Sequence, residues 1–258
     1  MELFINVYIF IIGIVFGSFF NVCIFRIPEK QSISNPPSHC PTCDTRLKPR
    51  DLIPILSYLI SGKKCRYCKE KISSRYATVE FFTGILFLLV YNAYLLNIKT
   101  VYYLVLFSLL IIITFIDIDH DIIPNGLIIP GSVFAIVFNF IFKVISINES
   151  ILGGVICGGA LVLIYLIEFI VKKEVMGSGG IKLVSMVGLF IGIKSSLLVA
   201  LLSVYVGTAY GVIIVLCSKI KRKEYNTMVP YGPLISIVSL VVILWQNRII
   251  DWYINLIS

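Results

Sequence analysis

Charge is scarce in this chain: Asp, Glu, Lys and Arg make up 14% of its 258 residues, and 58% are hydrophobic. A soluble domain of this size carries about a quarter charged residues, so an ordinary water-soluble globule is excluded. No internal repeat or low-complexity segment is evident. A soluble Rossmann pattern of strand and glycine-rich turn is also missing. Charge inside the apolar stretches is sparse and no inverted repeat is visible, which argues against a transporter. The first apolar stretch has no basic run ahead of it and no small-residue cleavage pattern behind it. It passes straight into Asn21, Arg26 and Pro28 and reads as a retained span, not a secretory signal.

Long uncharged runs are plentiful. They cover 3–25, 81–98, 100–116, 122–142, 150–167, 195–218 and 229–247, each near the roughly 20 residues that cross the hydrocarbon as a helix. An eighth candidate, 183–193, has only 11 uncharged residues between Lys182 and Lys194, so length alone makes it a buried or re-entrant segment. Charge decides the matter, because Lys and Arg collect in short cytoplasmic loops. With the N-terminus outside and eight spans, 17 basic residues fall inside and four outside. Seven spans would expel the cluster Lys219, Lys221, Arg222 and Lys223. The reading is therefore an all-α polytopic membrane protein of about eight helices with both termini outside. The net charge of +8 is concentrated beside apolar spans; anionic lipid headgroups account for it, and no nucleic-acid partner is expected.

Only the loop 26–75, between the first and second spans, could form a soluble unit. It is too short to fold on buried apolar surface alone. Cys40-Pro-Thr-Cys43 and Cys65-Arg-Tyr-Cys68, separated by 21 residues, supply a staple, since two C-x-x-C turns complete a four-thiolate tetrahedron around zinc. Two disulfides are the alternative, disfavoured in a reducing cytosol. Four sulfur ligands leave no open position, so the metal would be structural. His39 reads as a solvated neighbour, and Cys23, Cys157 and Cys217 as small buried hydrophobes. Gly154-x-x-x-Gly158 and Gly207-x-x-x-Gly211 are expected to let helices approach closely.

Ionisable groups at membrane depth are costly and invite a functional reading. Asp117 ends an uncharged run, and Pro124-Asn125 breaks the helix soon after. Asp119 points to another face, while Asp121 shares Asp117's face if the helix persists. A polar pocket is one reading of the three and a solvated acidic cap the other. Glu168 is expected to snorkel to the same surface.

Taken together, several motifs resemble the bifunctional type IV prepilin peptidases. They are Gly17-Ser-Phe-Phe-Asn21 through Arg26-Ile-Pro28, the paired cysteines, Ile53-Pro-Ile-Leu-Ser-Tyr-Leu59, Ser74-Arg-Tyr76 with Val79-Glu80, and Asp117-Ile-Asp-His120 with Ile123-Pro-Asn125. Lys173-Glu174 before Met176-Gly-Ser-Gly179, and Val229-Pro-Tyr-Gly-Pro233, complete the set. The resemblance covers essentially the whole chain, in order. It implies a first helix (1–25), a cytoplasmic zinc-ribbon-like domain (26–75) and a membrane aspartyl protease domain (76–258). Such an enzyme sits in the bacterial inner membrane with its zinc loop and active site facing the cytoplasm. It cuts the basic leader from prepilins or pseudopilins and methylates the new N-terminus with S-adenosylmethionine.

By resemblance the catalytic pair is Asp117 and position 180, where a G-x-G-D motif ends. This chain has Gly180 there. Two carboxyls sharing a proton are needed, one to activate water and one to polarise the scissile carbonyl, so proteolysis is expected to be lost, through an engineered knock-out or in a natural pseudoenzyme. Glu174, Asp119 and Asp121 are the only candidate substitutes. For methyl transfer the resemblance offers Gly17, Asn21, Arg26, Pro28 and Glu80, set against capping of the first span and, for Glu80, pairing with Arg75. A non-enzymatic adaptor that docks a pilin-like partner through the zinc module is the alternative function.

Overall fold

The computed structural model describes residues 2–171, 178–221 and 231–257. The apolar runs form helices because lipid offers backbone groups no hydrogen-bond partner. The helices are α1 (Glu2–Arg26), α2 (Leu56–Ile60), α3 (Arg75–Tyr94), α4 (Ile98–His120), α5 (Asn125–Phe142), α6 (Ile147–Val171), α7 (Ser178–Lys221) and α8 (Tyr231–Ile257). Among the described residues there is no strand, only two isolated antiparallel bridges in the 26–75 segment. Among the described residues, five helices are long and apolar enough to cross a membrane, α1, α3, α4, α5 and the 179–213 part of α7, and shorter apolar stretches occur at 147–163 and 231–245.

α7 is interrupted at Gly192, whose φ of 73° and ψ of 177° are not helical. Glycine alone adopts such a backbone readily. The break divides α7 into two arms, 178–191 and 193–221, and the short uncharged segment 183–193 spans it. Breaking a helix leaves carbonyls without intrahelical donors, and side chains from two other helices supply them. Ser150 Oγ donates to Leu189 O at 2.6 Å and Asn139 Nδ2 donates to the same oxygen at 3.4 Å. Cys157 Sγ donates to Ser196 O at 2.8 Å, so this cysteine is more than an apolar filler.

The chain divides into two compact units, Met1–Ile112 and Ile113–Ser258. In the first, α1 and α3 meet through small residues: a Cβ on Gly13 would lie 2.7 Å from the Cα of Gly84, and one on Gly17 would lie 2.7 Å from the Cα of Glu80. Phe10 packs edge-on against Phe81 beside this seam, with centroids 6.1 Å apart. In the second unit α6 crosses α7 closely, and a Cβ on either Gly153 or Gly188 would sit 2.5 Å from the other's carbonyl oxygen. Gly154 and Gly158 face Leu189 and Ser185 in the same seam, as their spacing predicts. The second small-residue motif behaves otherwise. Gly207 makes ordinary contact with Tyr231, while Gly211 has nothing within 4 Å, so only half of that pair is used for packing.

Two substitutions separate these cases. Gly188→Val forces backbone against backbone and should cost about 1–3 kcal/mol or more, whereas Gly211→Val should leave the midpoint of thermal unfolding in detergent nearly unchanged.

Candidate active site and metal centre

In the first unit, each C-x-x-C sequence folds into the same tight turn. Cys40 N–H donates to Thr45 O and Asp44 N–H to Cys40 O, at 3.1 and 2.9 Å. Cys65 N–H donates to Glu70 O and Lys69 N–H to Cys65 O, at 2.8 and 3.0 Å. Asp44 and Lys69, at equivalent places, have left-handed φ values of 52° and 63°. The bridges His39 to Arg46 and Lys64 to Lys71 close the turns. All four sulfurs lie within 4.8 Å of one another, and Cys40 Sγ is 3.9 Å from Cys68 Sγ. A tetrahedral ion with bonds of about 2.3 Å sets its sulfurs about 3.8 Å apart, so this cluster fits a metal. Hydrogen bonds to the Thr45 side chain and backbone bring the Cys43 thiol down to about 7, whereas, against a backbone hydrogen bond at Glu70, burial and the neighbouring thiols push that of Cys68 up to about 12. His39 is turned to Pro37 O at 3.1 Å, consistent with its expected place outside the ligand set.

Asp51 ties the second turn to the loop. Its carboxylate lies 3.1 Å from Arg66 Nε and accepts from Tyr67 Oη at 2.9 Å and Lys48 N–H at 3.1 Å. Burial opposes its ionisation, but these donors win and hold the carboxyl below the ordinary carboxylate range. Arg66 and Tyr67 are the two residues between Cys65 and Cys68, a link that pattern reading missed.

A cavity of about 590 Å³ lies in this unit, with Asn21, Arg26, Asp51, Ser57, Tyr58 and Glu80 among its walls. Asn21 Nδ2 donates to Tyr76 O at 3.0 Å. Arg26 is buried, and its guanidinium donates to the carbonyls of Ser32, Ile33 and Pro36 at 2.9, 3.2 and 2.6 Å. Glu80 Oε2 accepts from Ile55 N–H at 2.7 Å. Ile55 has a φ of 60°, a strained value for a β-branched residue, which this hydrogen bond helps to hold. Glu80 thus has a backbone partner that neither sequence reading included. Gly17 serves the α1–α3 seam, and Pro28 lies in the turn after α1. Neither lines the cavity.

In the second unit Asp117 is buried in the last turn of α4. Its Oδ2 accepts from Gly232 N–H at 2.7 Å. Gly232 lies in the first turn of α8, where backbone N–H groups lack intrahelical acceptors and attract negative charge. A Cβ at 232 would fall 2.8 Å from that Oδ2 and 2.9 Å from Asp117 Cβ, so the position demands glycine. α4 ends at His120, and Asp121 follows with a φ of 53°. The helix therefore does not carry Asp121 onto Asp117's face. Asp119 and Asp121 are exposed while Asp117 is buried.

Gly180 is buried in the first turn of α7. A Cβ on its neighbour Gly179 would lie 3.0 Å from Ile123 Cβ, and Lys182 Nζ donates to Asn125 Oδ1 at 3.1 Å. The segments 123–125 and 179–182 thus come together, while the start of α8 meets Asp117. Lys173-Glu174, Met176-Gly177 and Val229-Pro230 lie outside the described residues, and with them Glu174 as a substitute acid. Gly232→Ala should cost about 1–3 kcal/mol through its clash with Asp117. Asp117→Ala should recover part of that loss in the double variant, a coupling measurable by thermal unfolding of the unaltered chain, both single variants and the double variant.

Comparison with known proteins agrees with this geometry. Residues 11–94 match the bacterial peptidase A24 N-terminal domain, and residues 104–212 match the type IV leader peptidase family. A prepilin leader peptidase/N-methyltransferase of Bacillus subtilis is 32% identical, covering 96% of this chain and 97% of its own. Its namesake in Pseudomonas aeruginosa is 30% identical over 95% and 92%, and that of Aeromonas salmonicida 28% identical over 96% and 94%. No solved structure matches. With such identity sustained over nearly the full length of both chains, and with helices and a four-cysteine cluster where the sequence placed them, the chain belongs to the prepilin leader peptidase/N-methyltransferase family.

Proposed function

We propose that this chain is a prepilin-processing enzyme whose N-methyltransferase half is intact and whose proteolytic half is disabled by glycine at 180. The observation that carries this reading is the meeting of 179–182 with 123–125 beside buried Asp117. On this reading an acid at 180 would be the partner of Asp117, and glycine brings none. Aspartyl hydrolysis needs one carboxylate to take a proton from water while the other carboxyl polarises the peptide carbonyl. Losing one such group typically costs about 10³-fold or more in rate. Asp119 and Asp121 are exposed where Asp117 is buried, which makes them poor substitutes.

The division into a first helix (1–25), a metal-binding loop (26–75) and a protease domain (76–258) follows the resemblance. The basic-residue distribution supports a cytoplasmic side for the loop and Asp117, and the resemblance implies the bacterial inner membrane. A prepilin or pseudopilin fits there, its apolar helix in lipid and its basic leader near Asp117, Asp119 and Asp121. Cys40, Cys43, Cys65 and Cys68 would hold zinc as a closed structural site. The cavity is of the size that binds small molecules, about 300–1,000 Å³. Asn21, Arg26 and Glu80 form a polar wall that would orient S-adenosylmethionine and the new N-terminus, with Gly17 and Pro28 shaping the helix end behind it. The cofactor supplies the methyl group when bound.

Gly180→Asp should restore leader cleavage of a reconstituted prepilin, and Gly180→Asp with Asp117→Asn should abolish it again, as read by the mobility shift of the product. An inert Gly180→Asp protein that still folds would refute the assignment of position 180. The unaltered chain should transfer label from methyl-labelled S-adenosylmethionine to pilin cut beforehand. Cys65→Ser should lower bound zinc from about one ion per chain to a small fraction of that, measured by elemental analysis.

A further inference from the structure

We propose that α2 is an interfacial anchor that docks the 26–75 segment onto an anionic lipid surface. In α2, Leu56, Leu59 and Ile60 are 56%, 58% and 74% exposed, and Ile53 just before them is 47% exposed. At 3.6 residues per turn these helical positions fall on one face. Ser57, Tyr58 and Ser61 fall on the other, where they line the cavity. The short helix is therefore apolar outside and polar inside, an arrangement that water disfavours and a membrane interface accepts.

Position identifies the occupant. Ile55, the residue before α2, donates its N–H to Glu80, which lies in the second turn of the membrane-spanning helix α3. Glu80 is about 8 Å along α3 from its start and directly precedes the uncharged run 81–98, so Ile55 is held at the water-facing edge of the span, the level at which interfacial helices lie. Exposed Lys48, Arg50, Lys63 and Lys64 stand on either side of the apolar face in sequence, and basic residues there attract anionic lipid. Apolar face, level and flanking charge agree on lipid, ahead of a second copy or a protein ligand.

The consequence is mechanical: one side of α2 is held by lipid while the other forms a wall of the cavity. The inference needs only that α3 spans the membrane, so it stands or falls apart from the proposed chemistry. The test places the probe Leu59→Trp in a full-length chain carrying Trp245→Phe and Trp252→Phe, reconstituted in vesicles of phosphatidylcholine with phosphatidylglycerol. Blue-shifted emission is expected, quenched more by lipids brominated near the glycerol than by those brominated at the chain ends. Ile60→Trp gives an independent probe should the first variant fail to fold. Replacing Lys63 and Lys64 by Glu should reduce quenching at least twofold in anionic vesicles and little in neutral ones. Water-like emission without quenching at both positions would overturn the proposal. So would protection that rises with protein-to-lipid ratio, which assigns the face to a second copy, or protection that appears only with added prepilin.

Discussion

A backbone carbonyl or N–H in hydrocarbon must find its partner within the protein, and this constraint organises both units. It turns the apolar runs into helices and sets conditions wherever a helix stops or breaks. At Gly192 the condition is met by Ser150 and Asn139, which reach Leu189 O from neighbouring helices. At the start of α8 an N–H of the first turn is met by Asp117. One requirement thus yields a structural clamp in one place and orients a buried acid in another. Close helix approach, through Gly153 and Gly188 in the second unit and Gly13 and Gly84 in the first, supplies the packing that lipid-facing side chains cannot.

The four-cysteine segment solves a different problem. It has little apolar interior and relies on two copies of one turn, each closed by the same pair of backbone hydrogen bonds. Arg26 binds three carbonyls of the loop beyond α1, Asp51 gathers the residues between the second pair of cysteines, and Glu80 fastens Ile55 to α3. These three charged side chains connect the cysteine turns to the helices on which they stand.

Much of this was legible in the sequence because it follows from spacing. The C-x-x-C pairs announce their cluster, and uncharged runs announce helices. Contacts that depend on three-dimensional approach were not legible. Nothing in the order of residues ties Glu80 to Ile55 or Asp117 to Gly232, since 25 and 115 positions separate the partners. A signal did exist for the second: glycine between Tyr231 and Pro233 at the mouth of a helix marks a site where a side chain is unwelcome. Asp121 shows another limit: a continuing helix would set it on Asp117's face, but the chain leaves the helix at that residue through a left-handed backbone, so the condition for a shared face is not met.

Asp117 is positioned by a main-chain amide, and the segments around 123 and 180 are joined through Ile123, Asn125, Gly179 and Lys182. None of these ties uses a side chain at 180. The meeting of these segments is therefore indifferent to what position 180 carries, because its joints are made by the residues on either side.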